Sequence, residues 1–280
     1  GRGGGAVPKL IEDARHRASA PSHDGEGASP RPTEPSRARC RARAKTLLTI
    51  LAALVLAPLT VVVGMGIPGN GYYLSGTLIV LYAIVPFFVA FEGRRPTARE
   101  IAVVAVLTAL AVAARAAFVW VPHFKPMAAI IMIAGIAAGP QTGFLVGSVA
   151  ALASNFIFGQ GPWTPWQMLA FGVVGLVAGL LADARVFPRA NLSWPRRVAL
   201  AVTGFVLIAG LAGPILDTST FFYLSTAPTP ELAATVYLAG LPVNAIHGAA
   251  TALTLLVVAN PLLDQLDRVR VKYGLLNRSR

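Results

Sequence analysis

Apolar residues fall in eight runs, 46–66, 75–91, 98–120, 127–138, 143–158, 165–182, 197–216 and 230–259, separated by short breaks rich in Gly, Pro, Arg or hydroxyl side chains. A helix needs about 20 consecutive apolar residues to cross the hydrocarbon of a bilayer. The pattern therefore predicts an all-α, polytopic membrane protein of about eight transmembrane helices. The fourth run is short and the fifth is rich in small residues, so this pair is expected as a steeply packed hairpin or a re-entrant one shielded by its neighbours. Residues 1–45 hold almost no large apolar side chains and are expected to form a disordered basic tail, because they cannot bury enough surface to offset ordering. A second basic tail is expected over 261–280.

The breaks carry their own signals. Thr97 and Glu100 have the spacing of a capping box, which starts the third run just after a basic connection. Thr164, Pro165 and Gln167 fit a second helix start, with Thr164 as N-cap, proline in the first turn and Gln167 completing a box. Just ahead lies Gly159-Gln160-Gly161-Pro162, a stiff stretch that lets backbone come close to its neighbours and braces Trp163 and Trp166. Those two tryptophans belong either to the aromatic belt at the water interface or to a ligand-facing loop.

Composition and charge agree with the pattern. Hydrophobic residues make up 55% of the chain and charged ones 13%, far from a soluble domain. The formal net charge of +12 suggests a nucleic-acid partner until the basic residues are located: ten of the 24 precede Thr46 and five follow Pro261. No nucleic acid is expected. Arg94, Arg95 and Arg99 fall in the second connection, and Arg185, Arg189, Arg196 and Arg197 in the sixth, whereas the opposite connections hold only Lys125. By the positive-inside rule both termini are expected in the cytosol. Cys40 is the single cysteine, so it cannot form an internal disulfide; its basic juxtamembrane setting also fits palmitoylation.

With this topology the uncommon polar and aromatic residues gather on the outer side. His123 and Lys125 lie in one connection, Gln160, Trp163, Trp166 and Gln167 in another, and Asp217 begins a third that continues to Tyr223. They fit either an outward pocket for an organic small molecule or ordinary solvated loops. Asn155 closes the fifth run beside them. Arg115, Asn244 and His247 lie inside runs, where a polar side chain is costly unless paired or facing a cavity. Arg115 either snorkels to the interface or serves the pocket, and Asn244 and His247, three apart on one helical face, either bond another helix or form the pocket floor.

Several chemistries are missing from the sequence. It has no GxxxxGK loop for phosphate, no HExxH, no GxSxG, and its four histidines at 16, 23, 123 and 247 lack ligand spacing. Neither a metal nor a cofactor is expected. The acidic residues after Thr46 are placed at or beyond run ends, Asp217 among them, so a proton-driven cycle lacks its buried carboxylate. A binding protein without an energy source must borrow one. Ala105, Ala109 and Ala113 recur every four residues and form a smooth ridge, suited to close approach by a partner helix or to packing within this chain.

That ridge leads to ARAAF at 114–118, VPHFKPMAA at 121–129, AAGPQTGFLVG at 137–147 and SNFIFGQGPWTPWQM at 154–168. Together these segments resemble the substrate-specific S component of energy-coupling factor (ECF) transporters, the bacterial and archaeal vitamin importers. The resemblance implies a six-helix membrane core over 96–260, with two accessory helices over 46–95. It implies capture of a vitamin in an outward pocket, with the Gly159 to Trp166 loop covering the cargo. It also implies docking through Ala105, Ala109 or Ala113 onto a transmembrane coupling subunit with two ATPase subunits. The loop looks like that of S components assigned to cobalamin, which places cobalamin ahead of riboflavin. The protein is expected in the bacterial cytoplasmic membrane and not to be an enzyme. The competing readings are a membrane enzyme acting on a lipid or isoprenoid, and a structural membrane subunit.

Overall fold

The computed structural model describes residues 1, 55–56, 59–60, 63, 71–93, 96–224 and 229–273, and all of these except Gly1 lie in one compact unit, Arg39–Arg280. The expectations for 1–45, for Cys40, for most of the first run and for the end of the C-terminal tail fall outside the described residues. Within them the elements are α1 Gly71–Gly93, α2 Ala98–Ala117, α3 Met127–Ala138, α4 Pro140–Phe158, α5 Thr164–Asp183, α6 Trp194–Leu207, α7 Gly213–Leu224 and α8 Pro230–Tyr273. A π-helical turn, Ile208–Ala212, joins α6 to α7 as one continuous segment. Six segments are long and apolar enough to cross a membrane, with α6 to α7 counted as one; α3 is the shorter apolar helix between them. The protein is an all-helical, polytopic membrane protein among its described residues.

The helix α3 explains the packing. Its 12 residues extend about 18 Å, less than the other apolar segments, and every residue from Met127 to Ile136 is buried. It is enclosed by α2, α4, α5 and α8. Close approach at its far end depends on glycine: a Cβ on Gly135 would lie 2.2 Å, and one on Gly143 2.3 Å, from the backbone oxygen of Gly175. Alanine at any of these positions would force α3, α4 and α5 apart.

The helix α1 packs against α4, α5 and α7. Val80 and Ile84 join Phe144 and Trp166 in a separate apolar cluster, and the Phe87 ring stacks on Phe144 at 3.8 Å.

Three expected boundaries are corrected. The connection 140–142 is the first turn of α4, because Gly139 at φ 98° turns the chain within a single residue. Asp217 to Tyr223 is helical, not a loop, and within it Thr218 and Thr220 satisfy their hydroxyls on the carbonyls of Pro214 (2.7 Å) and Leu216 (3.3 Å). The π turn precedes Pro214, whose missing N–H leaves the usual helical ladder without a donor there. The last helix runs past Ala259 to Tyr273, held at that end by Asn260 and Asp264, which bond the backbone of Leu192 and Asn191.

Candidate functional site at the loop end of the bundle

The capping box at Thr97 and Glu100 is formed and fixes the start of α2. One face of α2 is buried through Leu107, Thr108, Ala111 and Arg115. Arg115 is only 8% exposed, so it does not snorkel. Its Nη1 donates to Ser154 Oγ and to Asn155 Oδ1 (3.1 Å) on α4, and its guanidinium lies 4.6 Å from the Phe158 ring centroid.

Asn155 is the hub of this end. Its Nδ2 donates to Thr164 Oγ1 (3.0 Å) and to Gln167 Oε1 (2.8 Å) on α5. Thr164 donates in turn to Gln160 Oε1 (2.9 Å), and Gln160 Nε2 donates to the Leu152 carbonyl (3.1 Å). Arg115, Asn155, Gln160 and Gln167 thus belong to one network that ties α2, α4 and α5 together. The expected capping box at Thr164 and Gln167 is absent: Trp163 occupies the N-cap position in helical conformation, with no side-chain cap. The reason is burial. A fully enclosed asparagine amide needs acceptors more than helix N–H groups at an exposed end do.

The two tryptophans separate. Trp163 is 44% exposed and lies over Gly161, where a Cβ would come within 2.4 Å of its ring. Trp166 is buried beside Phe222, and its Nε1 donates to Thr77 Oγ1 (3.3 Å), so it anchors α1.

Deeper in the bundle, Asn244 Nδ2 donates to Asp217 Oδ2 (2.7 Å), joining α7 to α8. This corrects the placement of Asp217 at or beyond a span end: it lies within the spanning segment Trp194–Leu224. His247 meets the Phe171 ring edge-on at 6.1 Å, and its Nε2 is buried without a partner. The ring also meets the Lys125 backbone and feels the charges of Lys125, Arg115 and His123. Lys125 lies in the connection between α2 and α3, where burial, and then the charge of Arg115, hold its ammonium below the ordinary range. His123 holds φ at 60° on the exposed turn beside it.

The site residues therefore form three groups: the Asn155 network, the Asp217–Asn244 bridge, and a group of basic residues, Arg115, His123, Lys125 and His247. Sequence reasoning left out Ser154 and Phe171 as site members. Ser154 was legible as a small polar residue beside Asn155; Phe171 was indistinguishable from any core aromatic. Ala105, Ala109 and Ala113 lie on the exposed face of α2, opposite Arg115. Among the described residues no group of three or more His, Cys, Asp or Glu side chains is placed to hold a metal.

Residues 96–268 match the profile of the family described as ECF-type riboflavin transporter, S component. A UPF0397 protein of Vibrio atlanticus is 30% identical over 104 residues, covering 36% of this chain and 53% of that protein. A UPF0397 protein of Clostridium perfringens is 25% identical over 155 residues, covering 54% of this chain and 76% of that protein. The chain thus spans about half the length of the Vibrio relative and three quarters of the Clostridium one. No solved structure matches the chain. The matched stretch begins just before α2 and leaves α1 outside.

Proposed function

Since the chain belongs to the family of ECF-type riboflavin transporter S components, we propose that it is the substrate-capture subunit of an ATP-driven importer in the bacterial cytoplasmic membrane. Its cargo is a vitamin-type small molecule, taken up at the end that carries His123, Gln160 and Trp163. Energy comes from partners: α2 docks onto a transmembrane coupling subunit that carries two ATPase subunits. Arg99, Arg185, Arg189, Arg196 and Arg197 lie toward the opposite end, which by the positive-inside rule is cytosolic and holds both termini.

The observation that carries this reading is the exposed alanine face. Ala105, Ala109 and Ala113 point away from the described bundle, so the ridge is free of internal packing duty there. Alanine at every fourth position lets a partner backbone approach over two turns, and van der Waals contact of that kind drives helix association in lipid. Beside the ridge, Ala102, Val103, Val106 and Leu107 of α2 and Leu266 and Val269 of α8 line an apolar groove of about 380 Å³. A second helix of the coupling subunit fits this groove.

Riboflavin is the first cargo to test, because the family description names it; cobalamin, to which the loop's likeness points, is the second. Ala109→Leu puts bulk on the ridge without touching the loop end. Cells carrying it should lose uptake while the purified chain keeps parental binding in calorimetry with cobalamin, cobinamide, riboflavin, thiamine and biotin. Parental uptake by this variant would remove the docking assignment, and failure of every vitamin to bind folded protein would remove the named cargoes.

A further inference from the structure

The basic side chains at the loop end, Arg115 and Lys125 with His123 and His247 beside them, have no acidic partner among the described residues. Arg115 is buried on a membrane helix, and the acceptors on its Nη1, Ser154 Oγ and Asn155 Oδ1, are neutral. They occupy Nη1 without neutralising the guanidinium. Its Nε is buried and has no partner, and the same holds for Nε2 of His247. Among the described residues no carboxylate acts on Arg115, Lys125 or His247; the charges that act on His247 are Lys125, Arg115 and His123, all basic. Asp217 on α7 is bonded to Asn244.

Such an arrangement is costly by itself. Like charges repel strongly where water is scarce, and a buried cation without a paired anion carries an uncompensated desolvation penalty. The contact between the His247 ring and the Lys125 backbone ties the connection between α2 and α3 to α8 despite that penalty. Two unpaired buried nitrogens on different helices, α2 and α8, further mark a place where acceptor atoms are missing.

We propose that Arg115, His123, Lys125 and His247 form a site for an acidic group, a carboxylate or a phosphate, carried by the captured molecule. The guanidinium Nε supplies a directed donor, and Lys125 supplies charge from the connection between α2 and α3. The cargo is then an organic anion. This inference rests on the capture reading and narrows its substrate class.

Ligands paired by charge on one scaffold test it: riboflavin against riboflavin 5′-phosphate, and biotinamide against biotin, titrated into the purified full chain. The anionic member should bind at least roughly tenfold more tightly, the factor expected of one hydrogen bond to a charged group. Lys125→Gln should erase that preference. Equal binding within both pairs, or a preference that persists in Lys125→Gln, overturns the proposal. Arg115→Gln is a second variant, less decisive because Arg115 also holds Ser154 and Asn155. If no ligand of either scaffold binds, the named cargoes fail, and the site is judged by inorganic phosphate alone. Phosphate should then raise the melting temperature over chloride at matched ionic strength, an effect lost in Lys125→Gln; no rise overturns the site itself. Nanodiscs of phosphatidylcholine with and without phosphatidylglycerol separate the sources. Stabilisation by phosphatidylglycerol that depends on Lys125 and competes with phosphate assigns the site to a lipid headgroup and overturns the small-molecule assignment.

Discussion

Two polar clusters share one end of the bundle and one residue, Arg115, yet they are completed in opposite ways. Around Asn155 the amide and its neighbours on three helices find partners at 2.8 to 3.1 Å. Around His247 the buried nitrogens find none. A satisfied network holds helices in register, because each member would pay a desolvation cost if another were lost. An unsatisfied one contributes little to holding the fold and leaves donors free for something else. The contrast divides the loop end into a structural half, next to α5, and a half available to a ligand, next to α8.

Substitutions can break or sharpen this division. The largest effect is expected at the hub: Asn155→Leu, near in size but apolar, should lower stability by about 2–4 kcal/mol in denaturation of the detergent-solubilised chain, since it strands a buried arginine and glutamine. A loss below about 1 kcal/mol would show that the network is not what joins α2 to α4 and α5. Ser154→Ala removes one acceptor from Arg115 and should cost about 1 kcal/mol by the same measurement. His247→Phe should change stability by less than about 1 kcal/mol, because an unpartnered buried nitrogen is removed along with the ring it sits on. A loss as large as that of Asn155→Leu would move His247 into the structural half.

The smallest effect concerns pH. The Lys125 ammonium is held below its ordinary value of 10.5, so between that lowered value and 10.5 the unfolded chain binds more protons than the folded one. Stability should therefore rise with pH across that window, and Lys125→Gln should flatten the rise. An unchanged slope in the variant would place the charge effect on another group.

Much of this architecture was written in local pattern. Apolar run length located seven of the described helical segments, and the Thr97 and Glu100 pair fixed one start to the residue. The helix start at Thr164 was also visible, but not the use to which Thr164 and Gln167 are put, because the partner that claims them, Asn155, lies on another helix. Asp217 to Tyr223 looked like a loop by polarity. Back-bonding hydroxyls and the Asn244 partner satisfy its polar groups within a helix, and neither is visible without the neighbouring turn and the neighbouring chain segment.

What the sequence determined by itself is what one helix can encode: length against bilayer thickness, the capping of an end, the spacing of alanines on a face, and the imbalance of basic residues between connections. These depend on residues within a few positions of each other. Tertiary structure alone decided which face of α2 is bare and which is buried, that Trp166 anchors α1 while Trp163 stays exposed, and that Arg115, Lys125 and His247 meet without an acid among them. Those outcomes depend on how helices are rotated about their axes and set against one another. Side chains far apart in the chain settle that rotation jointly, through close-packed glycines such as Gly143 and Gly175 and through buried amides that accept only one set of partners.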